Sequence, residues 1–229
     1  MLGRSGAEIE FPCQEEPVAG YRAVPPSGRG RGVLVLHEAG GLLGFARDVC
    51  DRLAREGFVA LVPDLHGGRT AADPEAAARL MMDLDAARAG CVLDAAVAEL
   101  LNSECVDGAR VGAVGFCLGG RLALLAAARN RRVGAAVSFY PAHPGLTLEL
   151  SQLEAPVLGI FAERDETPPA EAAAELESAL EAAGKTATLR VQAEVRHGFM
   201  NDSRPDVFDA VAAAEGWDAM LAFLRAELP

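Results

Sequence analysis

Short apolar segments alternate with amphipathic segments along most of the chain. The apolar runs that predict buried strands are GVLVLHE, FVALVP, ARVGAVGF, RVGAAVSFY and APVLGIFA, and a more polar strand is predicted at TATLRV. Helical spacing occupies Phe45–Gly57, the stretch from Asp73, Cys91–Leu101, the stretch from Gly119, Pro169–Ala183 and the stretch from about Phe208. Alternation of buried strands and helices predicts an α/β fold, with a mostly parallel central sheet and helices on both faces.

The remaining pattern predicts one continuous domain. A turn region rich in Pro, Gly and Arg, from Gly20 to Gly32, separates a predicted N-terminal hairpin from the first buried strand. Neither a repeat nor a low-complexity linker interrupts the chain. Its 229 residues fit a single α/β domain over residues 1–229.

Reactive side chains follow the ends of several predicted strands. His37 and Glu38 come after the first buried strand, and Cys117, Asp165 and His197 come after later ones. Because ligands of parallel α/β sheets bind beyond the carboxyl ends of the strands, we expect a single site at that edge.

The stretch Gly115-Phe116-Cys117-Leu118-Gly119 has the form of a nucleophile elbow, with cysteine in the usual place of serine. Such a strand-to-helix turn needs small neighbours around a strained backbone. The N-terminus of the following helix favours both a thiolate and an oxyanion. The alternative is a buried cysteine in a tight turn, whose glycines serve close packing.

The order Cys117, Asp165, His197 is the order of nucleophile, acid and histidine in the α/β-hydrolase fold. In this hypothesis His197 exchanges a proton with Cys117, and Asp165 fixes the imidazole tautomer. Each residue alone has a simpler explanation, since a loop histidine can be solvated and Asp165 could pair with Arg164 at the surface.

Three backbone or carboxyl groups complete the predicted site. The amides of Leu118 and Ala39 are the expected oxyanion donors. We hypothesise that Glu38 keeps Cys117 protonated or contacts it directly, since a nearby carboxylate disfavours a thiolate. The alternative is that Glu38 caps the turn after its strand.

Composition limits the possible partners. A net charge of −12 and a pI near 4.8 argue against nucleic acid and anionic membranes. The five cysteines form no C-x-x-C pair and the four histidines have no metal-ligand spacing, so we expect neither disulfides nor a metal. The start MLGRSGAEIEFPC lacks an apolar core and no run is long enough for a membrane span, which predicts a cytoplasmic protein.

With HEAGGL, PDLHGG, GFCLGG, ERDETPP and HGFMNDSRP in this order, the chain resembles the dienelactone hydrolase (carboxymethylenebutenolidase) family of α/β-hydrolases over nearly its whole length. The resemblance implies a triad of Cys117, His197 and Asp165, an associated Glu38, and oxyanion donors at Leu118 and Ala39. It also implies opening of an enol-lactone to a keto acid through an acyl-cysteine, without a cofactor.

One position departs from that family's pattern. Studied dienelactone hydrolases have a carboxylate-binding arginine four residues after the catalytic histidine, where this chain has Asn201. Arg79, Asn201 and Arg204 are therefore the candidate substrate contacts. Because a bidentate arginine–carboxylate contact is strong and geometrically selective, its loss should change specificity.

The sequence thus predicts a carboxylic ester hydrolase, a monomer or homodimer, that acts on a small lactone or ester. Two alternatives stay open. One is a flavodoxin-like cysteine enzyme with glyoxalase-like or deglycase-like chemistry, which would not need Asp165 and His197. The other is a non-catalytic ligand-binding protein on the same fold.

Overall fold

The computed structural model describes residues 6–14, 16–143, 145–167, 169 and 171–228. Strands and helices alternate through this part of the chain. The strands are β1 (Gly6–Phe11), β2 (Val18–Ala23), β3 (Gly30–Leu36), β4 (Phe58–Pro63), β5 (Val106–Phe116), β6 (Val133–Phe139), β7 (Val157–Ala162) and β8 (Ala187–Gln192). The helices are α1 (Gly44–Arg55), α2 (Pro74–Met82), α3 (Ala86–Asn102), α4 (Leu118–Arg129), α5 (Glu171–Ala182) and α6 (Ala210–Glu227).

The strands form one sheet in the order β1-β2-β4-β3-β5-β6-β7-β8. Of the pairs between the described strands, only β1–β2 and β2–β4 are antiparallel, so the predicted hairpin and mostly parallel sheet are confirmed. The parallel strands β4-β3-β5-β6-β7 have the same order as the five strands of the flavodoxin fold. The antiparallel β1–β2 hairpin at one edge and β8 at the other extend the sheet to eight strands, which the flavodoxin-like alternative does not predict.

Two hydrophobic cores cover the two faces of the sheet. Leu34 and Leu36 of β3 point into the core formed with α3, α4 and α5. Val33 and Val35 point into the core formed with α1 and α6. Because successive side chains of a strand face opposite sides, burial of both faces requires the continuous apolar runs seen in the sequence.

Helix starts differ slightly from the predicted ones because of capping. Helix α3 begins at Ala86 rather than near Cys91, where the Asp85 carboxylate accepts from the Ala87 amide at 2.8 Å. Helix α6 begins at Ala210, capped by Asp209, rather than at about Phe208. Such a carboxylate satisfies amides that have no intrahelical acceptor. The predicted start of α5 lies next to residues 168 and 170, which are outside the described residues.

The parallel strands place their carboxyl ends along one edge of the sheet. β3 ends at Leu36 and β7 at Ala162, each directly before a loop that carries polar side chains, and β5 ends at Phe116, directly before Cys117 and α4. Within the described residues, no helix combines the length and apolarity that crossing a membrane requires.

Candidate active site

Cys117 occupies a strained turn between β5 and α4. Its backbone angles, φ 55° and ψ −119°, lie in a region that residues with a Cβ rarely adopt. Backbone hydrogen bonds hold this conformation: the Cys117 amide donates to the Phe139 carbonyl at 3.1 Å, and the Cys117 carbonyl accepts from Gly120 at 2.9 Å and Ala142 at 3.1 Å. The thiol therefore projects from the edge of the sheet at the N-terminus of α4.

The glycines around Cys117 are required by close backbone contacts. A Cβ at Gly115 would lie 1.8 Å from the Gly119 carbonyl oxygen, and one at Gly119 would lie 2.0 Å from the Leu36 oxygen. A Cβ at Gly120 would lie 2.6 Å from the Phe139 oxygen. Helix α4 therefore approaches the neighbouring strands more closely than any other residue type would permit.

His197 and Asp165 form a hydrogen-bonded pair beside Cys117. His197 Nδ1 lies 2.8 Å from Asp165 Oδ2, and Asp165 Oδ1 accepts from the Thr167 amide at 2.9 Å. The Asp165 side chain is almost fully buried, so it is a fixed acceptor. Since the carboxylate accepts from Nδ1, Nε2 is the ring atom available to the Cys117 thiol, with which His197 also interacts.

The surroundings of His197 favour its cationic form. Burial by itself lowers the pKa of the imidazole, but the hydrogen bonds to Asp165 and Cys117 and their negative charges outweigh burial and raise the pKa to about 10. The histidine is thus able to hold a proton beside the thiol at neutral pH.

Tyr140 is a site residue that sequence reasoning missed. Its ring contacts the His197 ring edge-to-face, with the centroids 4.8 Å apart. Its hydroxyl is buried and interacts with the Glu38 carboxylate and the Met200 backbone, although it makes no hydrogen bond of good geometry among the described residues. Burial and the nearby charges of Glu38 and Cys117 raise the pKa of the phenol, which therefore stays protonated. The only signal in the sequence is its position at the end of the RVGAAVSFY run.

Glu38 is hydrogen-bonded to Asn201. Asn201 Nδ2 donates to Glu38 Oε2 at 2.7 Å, and Asn201 Oδ1 accepts from both the amide (3.1 Å) and the hydroxyl (2.6 Å) of Ser203. These donors fix which end of the Asn201 side chain faces the carboxylate. Burial raises the pKa of Glu38, while Asn201 and the charge of His197 act in the opposite direction.

This arrangement bears on both hypotheses for Glu38. Among the described contacts its carboxylate bonds to Asn201, not to Cys117. No hydrogen bond to the following turn is found for this side chain within the described part of the chain either. Instead the backbone carbonyl of Glu38 closes that turn by accepting from the Gly41 amide at 3.1 Å.

Among the described residues, the amides of Leu118 and Ala39 have no hydrogen-bond acceptor. Leu118 is the first residue of α4 and therefore lacks an intrahelical acceptor. The Ala39 amide also donates to no acceptor within the described part of the chain, and both residues are buried. The glycine at position 41 has φ +93°, and a Cβ there would lie 2.7 Å from the Arg69 carbonyl, which explains the glycine in this loop.

The candidate substrate contacts have other partners. Arg79 is exposed on α2 and pairs with Glu75, and none of its described contacts reaches the triad. Arg204 pairs with Asp206 at 2.9 Å, although its charge also acts on Glu38. Asn201 is buried against Glu38. In the described residues, no group of three or more His, Cys, Asp or Glu side chains is placed to hold a metal.

Comparison with known proteins gives consistent matches. The model of a family described as "Dienelactone hydrolase family" matches residues 18–228. "Protein usf" of Aquifex pyrophilus is 32% identical, over 96% of this chain and 98% of its own. A protein of Aquifex aeolicus named "Putative carboxymethylenebutenolidase" is also 32% identical, over 97% and 99%. The solved structure titled "Putative Dienelactone Hydrolase" from Klebsiella pneumoniae has a TM-score of 0.87 and 30% identity, covering 96% of this chain and 98% of that one.

Proposed function

Since the chain belongs to the dienelactone hydrolase family and is a hydrolase, we propose that it opens enol-lactones or cleaves small carboxylic esters with Cys117 as nucleophile. The observation that carries the proposal is geometric. Cys117 has the strained backbone of a nucleophile elbow, and it lies beside an imidazole that Asp165 holds at 2.8 Å. A cysteine that only filled space would need neither feature.

The first half-reaction transfers the acyl group to sulfur. Cys117 Sγ attacks the carbonyl carbon, a C–S bond forms, and the carbonyl oxygen becomes an oxyanion that the amides of Leu118 and Ala39 can bind. The C–O bond then breaks, and His197 gives its proton to the departing alkoxide or enolate. The products are a thioester on Cys117 and a hydroxyl or enol, which stays attached to the acyl chain when the substrate is a lactone.

Hydrolysis of the thioester completes the cycle. His197 takes a proton from water, the water oxygen bonds to the acyl carbon, and the C–S bond breaks to release the acid. Acylation removes the thiolate charge that helps to raise the pKa of His197. The imidazole therefore loses a stabilising partner for its proton at the step in which it must act as a base.

Asn201 bears on the choice of lactone or ester. Its amide is buried against Glu38, and no guanidinium occupies this position to hold a substrate carboxylate. We therefore propose a substrate range that differs from that of dienelactone hydrolases with an arginine there.

The test compares wild type with Cys117→Ala on a dienelactone and on p-nitrophenyl acetate, with mass spectrometry of the acylated protein. Cys105→Ala is the matched control, since Cys105 is also a partly exposed free thiol. We expect acyl adducts on Cys117 and loss of turnover in Cys117→Ala alone. Turnover of only the activated ester would support the mechanism with another substrate.

Two results would contradict the proposal. One is turnover by Cys117→Ala at the rate of wild type. The other is ligand binding without hydrolysis of either compound, unaffected by Cys117→Ala, which would favour the non-catalytic alternative.

A further inference from the structure

Two backbone hydrogen bonds fix the ring of His37. The Leu65 amide donates to His37 Nε2 at 3.1 Å, so Nε2 carries no proton. The proton of the neutral ring is therefore on Nδ1, which lies 2.7 Å from the Glu38 carbonyl oxygen and donates to it. Only 1% of the His37 surface is exposed, so water does not compete for either bond.

The acceptor of this bond belongs to the same peptide group as the amide of Ala39. In a planar trans peptide the C=O and N–H point in opposite directions, so fixing one fixes the other. The Glu38 oxygen also accepts from the Gly41 amide at 3.1 Å. The two hydrogen bonds to the Glu38 carbonyl thus orient the Ala39 N–H away from the turn. In that orientation the N–H has no acceptor among the described residues.

We propose that His37 is a positioning residue for oxyanion binding, because its Nδ1–H orients the Glu38–Ala39 peptide and strengthens the Ala39 N–H as a donor. Hydrogen bonds in a chain polarise one another, and a peptide that accepts a short bond at its oxygen donates more strongly at its nitrogen. The inference rests on the proposed function, since it assigns a role in the acylation step. His37 itself touches no reacting atom.

The charge state of His37 is part of this role. Protonation would place an N–H at Nε2 against the N–H of Leu65, and the two donors would repel each other. Burial is the main reason that the pKa of His37 falls to about 4; the nearby ring of His66 lowers it further, while Asp64 acts in the opposite direction. The ring is therefore neutral, and the same nitrogen donates, throughout the neutral pH range.

Two substitutions separate the two bonds of the ring. In His37→Asn the side-chain amide nitrogen can occupy the place of Nδ1 and donate to the Glu38 carbonyl. In His37→Gln the longer side chain brings its amide to the place of Nε2, where it can accept from Leu65 but no longer donates to Glu38. Both variants are uncharged and similar in polarity.

The experiment measures kcat and KM for p-nitrophenyl acetate together with the rate at which iodoacetamide alkylates Cys117. We expect His37→Gln to lower kcat on the order of 10-fold to 100-fold, because removal of an entire oxyanion donor costs about 10²-fold to 10³-fold. KM and the alkylation rate should stay near wild type, since alkylation forms no oxyanion. His37→Asn should retain most of kcat.

Tyr21→Phe controls for a general loss of stability. It removes a buried hydrogen bond of 2.8 Å to Asp51, between β2 and α1. We expect this variant to melt at a lower temperature with kcat unchanged.

Three results would overturn the role of His37. The first is an equal loss of kcat in the Asn and Gln variants, and the second is a parallel loss of the alkylation rate. The third needs no variant: a proton on Nε2 of His37 in the ¹⁵N spectrum of the wild type would exclude the Nδ1 donor. If wild type shows neither turnover nor alkylation at Cys117, the proposed function fails as well, and this result differs from the other three.

Discussion

Asn201 donates its side-chain amide to the carboxylate of Glu38 across 2.7 Å, although the two residues are 163 positions apart in the chain. The bond joins the loop after β3 to the loop that follows His197. Glu38 therefore lies in the candidate active site with a neutral partner, and burial makes its ionised form costly. Desolvation of the ionised carboxylate is the largest cause of the raised pKa of Glu38. The stability of the folded protein should therefore depend on pH through this group.

Replacement of Glu38 by Gln should stabilise the protein increasingly as the pH rises. The pKa of Glu38 is raised above its ordinary value of 4.5, so the folded state binds this proton more tightly than the unfolded state. Its contribution to the free energy of unfolding is therefore most favourable at low pH and falls as the pH rises through the folded pKa. Gln can still accept from Asn201 but carries no charge.

Urea denaturation of wild type and Glu38→Gln at pH 4, 6 and 8 measures this effect. Glu175→Gln, on the exposed face of α5, is the matched control and should follow wild type at every pH. A stability difference between wild type and Glu38→Gln that is independent of pH would contradict the assignment.

Replacement of Cys117 by Ala should lower the pKa of His197. As a thiolate, Cys117 contributes both a hydrogen bond and a negative charge to the stabilisation of the imidazolium, and Ala supplies neither. The pKa should fall from about 10 towards the ordinary value of 6.5, with the Asp165 interaction still present. NMR titration of the His197 ring in both proteins measures the change, and an unaltered pKa would show that the two side chains are not coupled.

Replacement of Asp165 by Asn should reduce kcat on the order of 10³-fold to 10⁴-fold, as expected when the wrong imidazole tautomer is stabilised. The amide can donate to His197 Nδ1, which leaves a proton on Nε2, facing the thiol. Asp209→Asn is a matched control, because Asp209 also accepts from backbone amides but caps α6, and Asn caps a helix equally well. Steady-state kinetics with p-nitrophenyl acetate should show full activity in this control; comparable losses in both variants would remove the special role of Asp165.

Replacement of Gly119 by Ala should destabilise the protein by about 3 kcal/mol or more, in the range of severe core substitutions. The added Cβ would lie 2.0 Å from the Leu36 carbonyl oxygen, so α4 would have to move away from β3. Gly44→Ala, at the start of α1, has no atom within 4 Å of the new Cβ and should change stability by less than ~1 kcal/mol. Thermal unfolding of both variants checks the contrast, and similar melting temperatures would exclude the steric explanation.

The order of strands and helices was predictable from the sequence because burial of both sheet faces imposes continuous apolar runs. The position of Cys117 in a strand-to-helix turn was predictable for a related reason. Gly115, Gly119 and Gly120 mark a point where a helix approaches strands too closely for a Cβ. Both the order of elements and the turn at Cys117 follow from contacts that form in any packed βα unit. The residue types that these contacts require can therefore be recognised in the local sequence.

The pairs within the site depended on the tertiary structure. Sequence reasoning assigned Asn201 to the substrate and Glu38 to Cys117 or a turn cap, yet the two side chains bond to each other. Tyr140 and the tautomer of His37 were also not predictable, because their partners come from other strands and loops. Local spacing could have indicated the ion pair of Glu75 with Arg79, four residues apart on α2, just as it could that of Asp48 with Arg52 on α1. In the structure Arg79 is therefore paired with Glu75.

The sequence by itself thus determined the sheet, the elbow and the loops that bring reactive side chains to one edge. Only the tertiary structure decided which of these side chains touch. The physical reason is that strand and helix formation follows from burial patterns within a segment, whereas a hydrogen bond of 2.7 Å between distant loops depends on how all the intervening segments pack.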